Sequence, residues 1–180
     1  MVTNKVTKRI SGVVAVVAMI AIVAVATVGG SSDAHAGDMR PFKGSANGIL
    51  TGPNSGEGTV TATHIGKGTV EFSGLLLNFA AGSPDPTPAG PNICFPVYGG
   101  DQTFTAANGD ELNMEYRSGR FCVDMVTQLP VYGNFGTTVT NGTGRFEDAV
   151  GSIWIDAVGI DVDGNPGFVS TFVGDSWIHY

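Results

Sequence analysis

Basic side chains are scarce: nine lysines and arginines stand against sixteen aspartates and glutamates, a formal charge of −7. A shortage of positive charge excludes the phosphate-tracking surfaces of nucleic-acid binders and attachment to anionic membrane surfaces. Histidine is rarer still, with three in the chain, and cysteine is limited to Cys94 and Cys122. Neither a Cys-x-x-Cys pair nor a third ligand accompanies His64 and His179, so no metal site and no cofactor are expected. No stretch after the N-terminal segment holds a helical period for more than a few residues, which excludes a helical bundle.

What the chain does have is glycine. Twenty-seven glycines, spread through Val/Thr-rich runs, indicate turns and bulges in a β domain. The first 36 residues stand apart. Lys5, Lys8 and Arg9 precede the apolar run Ile10 to Val28, and Ala34-His35-Ala36 has the small-x-small form of a cleavage site. These features predict a signal peptide over 1–36 and an exported domain over 37–180, periplasmic or extracellular. The apolar run is long for such a segment, so an uncleaved anchor remains the rival, with membrane contact through that segment alone. Residues 37–180 keep six basic and fifteen acidic side chains, a charge of −9. In an oxidising compartment the two cysteines pair most simply as a Cys94–Cys122 disulfide. Closing that 28-residue separation restricts the unfolded chain by ~3.5 kcal/mol in the loop-entropy account.

Strands are expected over Ser45–Thr51, Glu57–Ile65 and Gly66–Leu75, the last two joined tightly. Ala80 to Asn92 holds four prolines and reads as a long surface loop, a candidate lid or rim. Further strands fall at Cys94–Tyr98, Gln102–Ala106 and Glu111–Arg117, with Ser118-Gly119 turning the chain into Arg120–Thr127. Val131–Thr140, Val150–Val158 and Phe168–Tyr180 complete the set. Asp161 to Gly167 is dense in turn residues; as a calcium loop it fails, because Phe172 stands where the twelfth-position carboxylate belongs. Gly174-Asp175-Ser176 lacks the strand-to-helix turn of a nucleophile elbow. The fold class is all-β: a single closed antiparallel barrel of about eight strands, since closure removes exposed edges.

Three phrases carry a family resemblance: Ala62-Thr63-His64-Ile65-Gly66, the run Phe104 to Leu112, and the run Gly142 to Gly151. Together they resemble the allene oxide cyclase and dirigent group of calycin-like β-barrels, as found in small exported bacterial proteins. The resemblance implies an eight-stranded barrel, often trimeric. It also implies an apolar lumen that binds a small hydrophobic molecule or steers a reactive intermediate through cyclisation without a cofactor.

Three functions follow as expectations: a binding module for a small hydrophobic ligand, a cofactor-independent cyclase or isomerase, or a structural surface or matrix protein. Alternation places Phe72, Leu112, Met114, Tyr116, Phe121, Phe168 and Phe172 as candidate ligand-binding residues. Charged residues in wall strands, Glu115, Arg117, Arg120 and Asp124, are the candidate catalytic set should a pair point inward. If Phe168, Phe172, Ile178 and Tyr180 line the lumen, Val169, Val173 and Trp177 lie outside beside Trp154 or Ile153 and Ile155. That stripe predicts a homo-oligomer, a trimer by the resemblance, with the Trp177 face buried between subunits.

Overall fold

Runs of β-branched and aromatic residues cut by glycine extend instead of coiling, and their alternation gives each strand one apolar face. A computed structural model describes residues 39–85 and 91–180; the expected signal segment over 1–36 lies outside the described residues. Ten strands follow in order: β1 Arg40–Pro41, β2 Gly44–Gly52, β3 Ser55–Ala62, β4 Gly66–Leu77, β5 Ser83–Asp85, β6 Asn92–Ala106, β7 Glu111–Asp124, β8 Pro130–Gly142, β9 Val150–Val162 and β10 Asn165–His179. Eight of them pair antiparallel in the order β10-β2-β3-β4-β6-β7-β8-β9, and β9 returns to β10. The sheet is therefore a closed eight-stranded barrel, the general architecture of calycin-type barrels. Two short strands sit against it: β1 on the end of β10 and β5 on the start of β6.

Turn chemistry sets the register. Asp163 and Gly164 have φ of 52° and 83°, as a two-residue hairpin requires. The Asp161 carboxylate accepts the Gly164 N–H at 2.7 Å. Gly44 to Leu50 pairs with Ala62 to Gly56, and Gly44 to Ile49 also with Phe172 to Gly167, which seals the barrel.

Three expected boundaries are corrected. Cys94–Tyr98 and Gln102–Ala106 are one strand, β6, in register with β7 on either side of Gly99-Gly100. Glu111–Arg117 and the first part of Arg120–Thr127 likewise form one strand, β7, which ends at Asp124; Ser118-Gly119 does not reverse the chain, and the register against β8 shifts between Tyr116 and Ser118, a bulge at Arg117. Gly100 and Gly119, with φ of 119° and 142°, take backbone shapes closed to L-residues, so the chain kinks without reversing. The expected loop from Ala80 to Asn92 is partly structured. Phe79–Ala81 is one 3₁₀ turn, Ser83–Asp85 pairs with Cys94–Asn92, and Asn92 already belongs to β6. Pro84 is tolerated because β5 is a three-residue edge strand.

The inward face is aromatic. Phe42 and Phe104 stack at 6.0 Å, Phe172 packs tilted against both at 5.2 and 5.4 Å, and the three fill the middle of the barrel. Leu112, Met114, Ile153 and Ile178 pack around them, fully buried. One end is closed by Phe146, which meets the Tyr180 ring edge-on at 5.1 Å. There the three phrases singled out in the sequence converge. Arg145 reaches Asp110 at 3.4 Å and donates to the Ile65 carbonyl at 3.4 Å. The opposite end, ringed by the β2–β3, β7–β8 and β9–β10 turns, is the open mouth.

On the outer face of β9, Trp154 projects outward while Ile153 and Ile155 point in. Trp177 is half-buried, because β1 pairs across it through Pro41. The bare part of the exterior stripe is thus Trp154, Val158, Ile160 and Val169.

Candidate functional site

At the mouth, the inward positions of successive strands diverge from the packed centre and leave a partly open cavity of about 60 Å³. Its apolar lining includes Phe72, Leu75, Phe121, Phe135, Ile155 and Phe168. Rings fix the wall: Phe72 packs edge-on to Phe168 at 5.6 Å and Tyr116 to Phe135 at 5.4 Å. Leu50, Pro53, Phe121 and Pro130 border both this cavity and a larger open groove of about 620 Å³. Leu77, Phe79, Phe95 and Met125 continue the groove outward. Phe79 is 70% exposed and packs edge-on to Phe95 at 5.0 Å, so an aromatic pair forms part of the rim.

The polar side chains that line the cavity are Asn54, Gln102, Tyr116, Tyr132 and Ser170, and Thr137, buried between Phe135 and Val139 on β8, donates to the Ile153 carbonyl at 3.0 Å. Gln102 lies opposite Met114 in the β6–β7 register, and Tyr116 is the next inward residue along β7. Gln102 is 5% exposed, and its Oε1 has no hydrogen-bond partner among the described residues. Burial pushes the Tyr116 phenol well above the ordinary tyrosine range, so it stays a neutral O–H donor. Ser170 spends its hydroxyl on the Ala46 carbonyl at 3.4 Å. No charged side chain lines the cavity among the described residues, and Asp124 is the charge on the groove.

The expected residues divide by depth. Phe72, Tyr116, Phe121 and Phe168 line the cavity. Leu112, Met114 and Phe172 lie deeper, buried in the packed centre. Glu115 and Arg117 form an ion pair at 2.9 Å on the face opposite Met114 and Tyr116. Arg120 lies over the Tyr132 ring at 5.4 Å, where Tyr132 and Asn134 both donate to Asp156. Asp124 accepts the Val126 and Thr127 N–H groups at 2.7 and 2.8 Å. Those two backbone bonds, Thr127 the stronger, hold its carboxyl below the usual range. The disulfide Cys94–Cys122 is formed across directly opposed residues of β6 and β7, beside the Phe95–Phe121 pair at the mouth.

Gln102 and Ser170 escaped the sequence reading. Their signal is a polar residue on an apolar parity: Gln102 shares its face with Phe104 and Ala106, and Ser170 with Phe168 and Phe172. Compared with known proteins, the chain matches no family model, no curated protein and no solved structure.

Proposed function

We propose that this barrel is an exported binding module that takes a small hydrophobic molecule at its open mouth. The observation that carries the reading is the continuity of an apolar groove with a smaller cavity, through the doorway of Leu50, Pro53, Phe121 and Pro130. Ligand sites are concave and mainly apolar, with a few placed polar groups. The groove has the capacity for a ligand body; the packed centre of the barrel does not. The resemblance of three phrases to the allene oxide cyclase and dirigent group supports the same reading, since those barrels hold small apolar molecules. Export is supported by the signal-like N-terminal segment and by a disulfide, which persists in oxidising compartments.

Native mass spectrometry of gently purified protein, followed by organic extraction, tests the reading. The expected result is a bound mass that extraction removes and that Phe121→Glu, which puts a charge in the doorway, abolishes. Protein that carries no extractable molecule and binds no added apolar compound saturably overturns it.

A further inference from the structure

The buried amide of Gln102 has no structural task. Among the described residues it caps no helix and bridges no strands, and its Oε1 is left without a donor in a wall of phenylalanines. Burying an acceptor this way costs stability unless something else supplies the missing bond. On the same wall, the Tyr116 phenol makes no hydrogen bond to the described residues, and burial keeps it protonated. An acceptor in need of a donor, on one wall with a donor, is matched by one group above others: a hydroxyl, which donates and accepts through a single oxygen.

Resting on the binding reading above, we infer that the mouth selects amphiphiles with an uncharged hydroxyl head, which enters the cavity and hydrogen-bonds Gln102 and Tyr116 while its apolar tail lies in the groove. Size and charge agree with this. A cavity of ~10–15 Å³ admits one water, so 60 Å³ admits a head of a few atoms and no more. The groove, about 620 Å³, lies within the ~300–1,000 Å³ range of sites for ligands of drug size. A carboxylate head is disfavoured because the cavity lining has no cation and the groove carries Asp124. Arg120 lies over the ring of Tyr132 and lines neither space. An ether head accepts from Tyr116 but leaves Gln102 Oε1 unmatched.

Three eight-carbon probes separate these cases: 1-octanol, octanoate and 1-methoxyheptane, titrated calorimetrically into the mature domain with its disulfide intact. The alcohol is expected to bind about tenfold more tightly than either rival, the discrimination typical of one buried hydrogen bond left unmade. Gln102→Leu is expected to reduce that preference to under about threefold while retaining binding of the ether. Tyr116→Phe provides the same comparison from the other partner, so a folding defect in one variant does not leave the question open. Equal affinity for all three probes, or an alcohol preference unchanged in both variants, overturns the hydroxyl inference and leaves the binding reading standing. Failure of all three to bind at millimolar concentration overturns both.

Discussion

Gly144 has φ of +57°, and a Cβ added there would lie 2.0 Å from Asp110 Oδ1. Two constraints therefore fall on one residue: a left-handed backbone and a carboxylate pressed against it. That carboxylate also holds Arg145, whose guanidinium covers the Phe146 ring at 4.8 Å. Gly144→Ala should destabilise the domain by about 1–3 kcal/mol, read as a lower urea midpoint; an unchanged midpoint would mean the closed end relaxes around the methyl. Asp124 gives a second prediction at this scale. Its folded carboxyl is held below the ordinary aspartate range, so its contribution is complete above the unfolded value. That contribution is lost as pH falls through the folded value. Hydrogen exchange at the Val126 and Thr127 amides should accelerate over that acidic interval, and in Asp124→Ala it should be fast at every pH. Equal protection in the variant would show that the turn holds without the carboxylate.

Strands β6 and β7 show what an element owes to its partner. Their disulfide joins residues already opposed, so it adds little native geometry and acts mainly on the unfolded chain. Cys94→Ser with Cys122→Ser should cost ~3.5 kcal/mol by the loop-entropy relation, measured as a shift in denaturant midpoint with the fold's circular dichroism retained. The same two strands mark how far local sequence reaches. The alternation Leu112, Met114, Tyr116 identified an inward face because period two is visible residue by residue. Gly99-Gly100 and Ser118-Gly119 were expected to break or turn the strands, since glycine permits a reversal and a bulge alike. Only the register between β6 and β7, unchanged on either side of these glycines, decides for continuous strands, and register belongs to two strands at once. Gln102 was missed for a related reason. A single glutamine among threonines reads as solvent-facing until its parity is tied to Phe104.

Viewed as a whole molecule, the barrel leaves Trp154, Val158, Ile160 and Val169 bare on the outside of β9 and β10, with Val158 directly opposite Val169. Apolar neighbours of that size on one sheet face are expected to pair with another copy, giving a homo-oligomer, a trimer by the family resemblance. Sedimentation at tens of micromolar should show the assembly, and Trp154→Glu should dissociate it; a monomer in both cases refutes the expectation. Covering of Trp177 by β1 explains why Trp154, and not Trp177, is the residue to change. Closure has a further consequence, in time instead of space. The seam between β2 and β10 brings together groups as far apart in sequence as Ser170 and Ala46, 124 residues from one another. Such a contact is among the last that loop-closure entropy allows, and it places the chain with the millisecond-to-second folders of high contact order. The disulfide loop, from 94 to 122, lies wholly between the two seam strands and shortens that search only by its own length. Until the seam closes, β2 and β10 are both open edges, and it is then that two chains are best able to exchange a strand.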